Sequence, residues 1–441
     1  MSHPQDLSLR EQASAVRRGD LDAGELLTMT LARIEERDGP INSTPVLFEA
    51  SSRTMLADAP RGPLHGVPIT MKDMFALPWR AARNGTPSEL IPAAASGPFR
   101  RLRDAGAVVV GVANQHELGM GTTGSISAYG PTGNPWNPDH CAGGSSGGSA
   151  AGVSARLVAG SLGSDSGGSA RLPAAYCGVV GLKLTYGSLP YDRYFGAGTS
   201  FSAPGVVARD GADARLLAET LLDRPLARHS GAELRVGVVR DPFWSDVDLE
   251  VASAADSALR DAGWTVVELQ IEHLELVGAA VLCRLIAETG IPPSSVLATL
   301  SRPTRGLLLA SLLAPARLVP RADRVRAAVR RSLAEAFTSV DLLAWPCAPT
   351  PAPALADPWV SLPSGRTLAD TANLRQASIA NLCGVPGVSL PVGLHSSGLP
   401  LGLQLLAPWG AEASLLDAGE HLELVTERAY VELTPPIARI G

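Results

Sequence analysis

The chain has 441 residues, of which 45% are apolar and 18% charged, and its formal net charge is −6. That balance excludes intrinsic disorder and gives no reason to expect nucleic acid or a membrane surface as partner. The 45 glycines and 35 prolines call for many loops and close backbone approaches, without the period of a collagen.

The N-terminus reads as helical. Ser8-Leu-Arg-Glu11 has the form of a capping box and Gly19 that of a stop. Asp22 and Glu25 open a second helix whose apolar face is Leu27, Leu31 and Ile34. No apolar core of an export signal is present among the first residues. The five cysteines are odd in number and form no close pair, so free thiols in a reducing cytoplasm are expected. Arg284, Arg305 and Arg317 interrupt the most apolar stretches, so none reaches the length of a membrane span.

Residues 66–72, Gly-Val-Pro-Ile-Thr-Met-Lys, predict a buried strand ending at Lys72. A short helix near 98–105 and a strand at 107–112 follow. From about 119 to 169 the chain is Gly/Ser-rich, with too few large apolar residues for a layer of its own. That reads as a long functional loop. Strand 234–239, helix 249–262 and strand 265–269 make a βαβ unit with parallel strands. Residues 273–337 are predicted to be mostly helical, with Val325, Val329 and Leu333 facing the core and Arg321, Arg324, Arg326, Arg330 and Arg331 solvated. Strands at 341–345, 388–392 and 401–405 and a helix over 412–424 close the chain. No internal repeat or low-complexity linker divides it.

Chemistry concentrates in two clusters, Gly143-Gly-Ser-Ser-Gly-Gly-Ser149 and Gly163-Ser-Asp-Ser-Gly-Gly-Ser-Ala-Arg171. The first is not a phosphate-binding loop, because Ser149 stands where lysine is required. Nor is it a hydrolase nucleophile elbow, because Asn134-Pro-Trp-Asn-Pro-Asp-His140 cannot be the central strand that must precede one. Neither CxxC nor HExxH occurs, so no metal and no cofactor is expected. Serine chemistry with a lysine base remains. Of 37 basic residues only Lys72 and Lys183 are lysines, and lysine, unlike arginine, can lose its proton. A serine hydroxyl needs such a base. Glycines let backbone N–H groups approach a substrate carbonyl as an oxyanion hole, worth roughly 3–4 kcal/mol per donor. Bringing a lysine to neutrality near pH 7 takes about 4–5 kcal/mol of differential interaction, and burial at the end of an apolar strand acts in that direction.

Those two clusters, with Gly62-Pro-Leu-His-Gly-Val-Pro-Ile-Thr-Met-Lys-Asp73, Ala174-Ala-Tyr-Cys-Gly-Val-Val-Gly-Leu-Lys-Leu-Thr185 and Ala380-Asn-Leu-Cys-Gly-Val-Pro-Gly-Val-Ser-Leu-Pro391, resemble the amidase signature family over most of the chain. The resemblance implies one α/β domain over 1–441, built on a large mixed, mostly parallel central sheet covered by helices. Within it, 1–60 would form a helical arm, 61–205 the catalytic core, 206–340 a variable substrate-side region and 341–441 the rest of the core. It implies a triad of Lys72 as base, Ser145 as the bridging serine after a cis peptide, and Ser169 as nucleophile. The N–H groups of Ser166, Gly167, Gly168 and Ser169 would form the oxyanion hole. Ser146 would support the relay by hydrogen bonding, and Asp165 and Arg171 would pair or cap around the glycine turn. Lys183 is read as structural. Candidate pocket linings are Met120, Tyr129, Tyr176, Tyr191 and Phe195. Gln115-His-Glu-Leu-Gly119 is similar to arylacetamide and indoleacetamide hydrolases, which implies aromatic acyl groups. The sequence departs from the family pattern at Ala170 and around Ser202.

The expected activity is hydrolysis of a small carboxamide by a cytoplasmic enzyme, with a small-molecule amide as its ligand and a homodimer allowed. The alternatives are the glutaminase component of a tRNA-dependent amidotransferase and an acyl-transferring or ligand-binding protein of the same fold.

Overall fold

The computed structural model describes residues 4–189, 200–429 and 433–439. Eleven strands build one sheet: β1 (Val46–Leu47), β2 (Pro68–Lys72), β3 (Val108–Ala113), β4 (Gly160–Asp165), β5 (Val180–Lys183), β6 (Ala203–Ala208), β7 (Arg235–Val238), β8 (Thr265–Glu268), β9 (Leu342–Pro346), β10 (Gly387–Leu394) and β11 (Pro400–Leu406). Their order across the sheet is β1-β3-β2-β4-β6-β5-β10-β11-β9-β7-β8.

The sheet is mixed, but the expected parallel majority is corrected. Parallel pairing holds on the flanks, in β3-β2-β4 and β9-β7-β8. From β4 through β6, β5, β10 and β11 to β9 every pairing is antiparallel, as is the edge pair β1-β3. The reason lies in the connections. Helical crossovers, such as Gly97–Asp104 between β2 and β3 or Leu249–Asp261 between β7 and β8, return the chain parallel. The short link 395–399 between β10 and β11 can only return it antiparallel.

The N-terminal expectation holds in detail. Ser8 Oγ accepts from the Glu11 N–H, the Glu11 carboxylate accepts from the Ser8 N–H, and Gly19 ends the helix in the left-handed region. Asp213 ties this arm to the body by accepting from Leu9 N–H at 2.7 Å and Arg10 N–H at 3.1 Å. The helices Val277–Glu288 and Leu318–Ala336 fall in the predicted helical stretch. Val329 and Leu333 are buried there and Val325 is partly buried. Arg326 and Arg330 are not simply solvated, since they donate to the carbonyls of Ser200 and Cys383.

The stretch 119–169 is not a single loop. It contains a small hairpin at 133–141, the helix Gly147–Ser154 and the central strand β4. Helix and strand are buried at every position. Their side chains are nearly all Gly, Ala and Ser, so helix and sheet come close enough to bury backbone rather than large apolar groups. Burial at such positions leaves no hydrophobic period in the sequence. Gly163 illustrates the fit: a Cβ there would lie 2.8 Å from Ser146 Oγ.

Candidate active site

Lys72 is the last residue of β2, and the strand's hydrogen bonds to β3 and β4 fix its backbone. Its side chain is buried, and its Nζ lies 2.7 Å from Ser145 Oγ and 2.8 Å from Ser164 Oγ. Burial pushes the amine down to about 7, against the upward pull of the Asp165 carboxylate. The ammonium therefore gives up its proton near neutrality. Ser145 follows a cis peptide bond from Gly144, and its carbonyl accepts from the His116 N–H at 3.0 Å.

Ser146 bonds the backbone of Ser164 from both sides. Its Oγ donates to the Ser164 carbonyl at 3.1 Å and accepts from the Ser164 N–H at 3.2 Å. Its support thus goes to the strand that carries Ser164, the second partner of Lys72. Sequence reasoning gives Ser164 no role. The one available signal is its place in the second glycine–serine cluster, directly before Asp165.

Ser169 sits at the end of a turn organised by Asp165. That carboxylate accepts from the N–H groups of Gly168 (2.9 Å), Ala170 (3.3 Å) and Arg171 (3.3 Å). It also receives two bonds from the Arg171 guanidinium, at 3.0 and 2.9 Å. Burial raises the Asp165 pKa, but the Arg171 charge and its hydrogen bonds outweigh that and hold it at about 2. Asn381 completes the cage, donating to the Asp165 carbonyl and carboxylate and accepting from Arg171. Gln404 Oε1 accepts from Arg171 as well. Asn381 and Gln404 lie more than 200 residues from the turn; Asn381 falls inside the motif 380–391, where no role is read for it, and no local pattern marks Gln404. Gly168 has φ +104, and a Cβ there would come within 2.3 Å of Ala377 Cβ. Only glycine fits.

This geometry corrects one donor of the expected oxyanion hole. The Gly168 N–H is already given to Asp165. The N–H groups of Ser166, Gly167 and Ser169 have no partner among the described residues. Ser166 Oγ meets Ser202 Oγ at 2.6 Å, so the departure from the family pattern at 202 touches this turn. The Ser169 and Ser145 hydroxyls are not bonded to each other. Ser169 Oγ has no hydrogen-bond partner among the described residues and can turn.

A cavity of about 50 Å³ opens at Ser169. It is bounded by residues 119–122, by Ser166, Gly167 and Ser169, and by Val281, Leu285, Leu374 and Asp370. Of the expected linings, Met120 is there. Tyr129 is not: its hydroxyl accepts from Arg80 outside this cavity. Nor is Tyr176, a core residue whose hydroxyl donates to Asn373 at 2.9 Å. Tyr191 and Phe195 lie outside the described residues. His116 is buried, with Nδ1 unpartnered, and burial lowers its pKa.

Lys183 belongs elsewhere. Its amine donates to the carbonyls of Leu184 (3.0 Å) and Val385 (2.8 Å), and burial pushes it to about 7. No group of three or more metal-ligating side chains is placed to hold an ion among the described residues.

A family model described as Amidase matches residues 25–416. The chain belongs to the amidase family. A glutamyl-tRNA(Gln) amidotransferase subunit of Methylococcus capsulatus is 31% identical to it over 95% of this chain and 97% of its own length. A crystal structure of an amidase matches with TM-score 0.89 and 32% identity, covering 95% of this chain and 99% of that one. The substrate complex of 6-aminohexanoate cyclic dimer hydrolase matches with TM-score 0.87 and 25% identity, over 99% of this chain and all of the other. The fold of this amidase-family chain, with its large mixed sheet, is therefore shared across proteins of differing activity.

Proposed function

We propose that this amidase hydrolyses a small carboxamide to the acid and ammonia or an amine, through an acyl-enzyme on Ser169. Neutral Lys72 takes the Ser145 proton as Ser145 takes that of Ser169, and Ser169 Oγ bonds to the amide carbon. The carbonyl oxygen becomes an oxyanion facing the N–H groups of Ser166, Gly167 and Ser169. The carbon–nitrogen bond then breaks, Ser145 protonates the leaving nitrogen and recovers its proton from Lys72. Water repeats the relay to release the acid. The observation that carries this is the buried Lys72 amine, held between Ser145 and Ser164 and brought to about 7. The five free cysteines fit action in the cytoplasm. Among the described residues no helix is long and apolar enough to cross a membrane.

A fluorophosphonate should label Ser169, and Lys72→Ala should abolish that labelling. Undiminished labelling removes Lys72 as base. A panel of primary amides, read by acid release, tests the substrate class.

A second reading, the glutaminase component of a tRNA-dependent amidotransferase, is favoured by the identity of the curated relatives. Glutaminase activity that appears only with copurified partner proteins would select it over the free-standing enzyme.

A further inference from the structure

Asp370 is the one charged side chain among the described residues that line the cavity at Ser169. It is half-buried, in the first turn of the helix Ala369–Ala377. Its Oδ1 accepts from Thr122 twice, from the N–H at 2.6 Å and the hydroxyl at 2.7 Å. Among the described residues its Oδ2 has no partner, and no cation lies in ion-pair range of it. Contrast Asp165, whose charge is met by Arg171, and Asp73, met by Arg80. Among the described residues Asp370 is the carboxylate that lines the cavity at Ser169, and it has no ion-pair partner. The other walls are apolar side chains, glycines and a serine turn, and Lys72 is engaged by Ser145 and Ser164.

A half-buried carboxylate without a counter-ion favours a cation beside it and opposes an anion, more strongly than in water. A substrate with its own carboxylate would set two like charges in a small space, with no cation among the described lining residues to relieve them. A substrate with an ammonium would supply the missing partner. The cavity is small, so only a short acyl chain separates the reacting carbonyl from that charge.

Resting on the amidase reading above, we infer that Asp370 is a specificity-determining residue: it pairs with an ammonium on the acyl part of the amide and turns away amides bearing a free carboxylate. The same charge repels the carboxylate formed at Ser169 and so favours product release.

The test uses three chain-matched amides: 4-aminobutanamide with an ammonium, pentanamide with a methyl in its place, and glutaramate with a carboxylate. The wild-type enzyme is expected to rank them in that order by kcat/KM. Asp370→Asn keeps an acceptor oxygen for Thr122 and removes the charge. It should cut the ratio of 4-aminobutanamide to pentanamide by about tenfold, mainly through KM. An unchanged ratio, a wild-type preference for glutaramate, or an equal loss on all three substrates overturns the inference; the last makes Asp370 only an anchor for Thr122. Should Asp370→Asn fail to fold, the wild-type preference for the ammonium must weaken as salt rises, and a salt-independent preference is equally fatal. Hydrolysis of none of the three, with Ser169 still labelled by a fluorophosphonate, instead fells the small-carboxamide reading and this inference with it.

Discussion

The Ser146 N–H donates to the Ser169 carbonyl at 3.1 Å. That bond joins the two glycine–serine turns next to the two residues that chemistry needs, Ser145 and Ser169. The nucleophile is thus placed by backbone, from a helix start on one side and the end of β4 on the other. Among the described residues its hydroxyl is left unbonded.

The rate should rise with pH through about 7 and then stay level, because the active form of Lys72 is the neutral amine. The group loses its proton on going from below 7 to above it, so the limb is an acid limb. Lys72→Arg keeps a charge that cannot be lost and should lose at least 10²-fold in kcat. A pH–rate profile for the wild type and single-turnover kinetics for the variant check this. A level profile between pH 6 and 8 sinks it.

Arg171→Met should destabilise the fold by about 3–5 kcal/mol, because it leaves the Asp165 carboxylate charged, buried and unpaired. Both side chains are fully buried. Asn381→Ala should be milder, since Arg171 still meets the charge, but it frees the turn that carries Ser169. We expect it to lower kcat more than it shifts the denaturation midpoint. Urea melts beside steady-state kinetics distinguish the two.

Much of this was legible in the sequence where one element speaks for itself. The capping box at Ser8, the βαβ unit at 234–269 and the strand ending in Lys72 are local patterns of period or cap. The pairing of Lys72 with Ser145 was legible through resemblance, because the residue types and their order are specific. What stayed hidden depends on distant parts of the chain. Strand β4 has Leu162 as its one large apolar residue and is a strand because β2 and β6 flank it. The antiparallel centre depends on which strands meet, and strand pattern alone carries no direction. Asn381 and Asp370 reach the site from the C-terminal part, more than 200 residues after the turns they meet; the motif around Asn381 does not name that partner, and nothing nearby marks Asp370.

Between pH 8 and 9 the two buried lysines should make the protein more stable as pH rises, against the opposing buried thiols. Lys72 and Lys183 are both held at about 7 in the fold, against 10.5 for an ordinary lysine. In that window the unfolded chain binds more protons at these two sites than the folded one, so their contribution to stability increases with pH, by about 1.4 kcal/mol per pH unit for each lysine. Below 8, Glu423, pushed up to about 8 by burial, acts in the opposite sense. From about pH 8 upward the four buried thiols do the same, because the unfolded chain loses their protons near 9 while burial raises Cys347 to about 11, Cys141 and Cys383 to about 12, and Cys177 well above its ordinary value. Lys183→Met should lower the slope by about 1.4 kcal/mol per pH unit while lowering stability overall, because the Leu184 and Val385 carbonyls lose their donor. Urea midpoints at pH 8 and 9 are sufficient; a slope unchanged by the substitution would falsify the assignment.

Ser164→Ala separates two roles that the Lys72 amine combines. To accept the Ser145 proton, neutral Lys72 must turn its lone pair toward Ser145 Oγ and give a hydrogen to another acceptor. Ser164 Oγ, at 2.8 Å, is that acceptor. Removing it loosens the orientation of the base, so kcat should fall, by about 10- to 100-fold on the scale of a positioned general base. It also removes a hydrogen bond that favours the charged amine, so the acid limb should move to lower pH. Loss of the base itself would instead flatten the limb. A downward shift of the limb together with a reduced plateau is therefore the expected signature, and an upward shift would mean that Ser164 stabilises the neutral amine and that the lone pair points the other way.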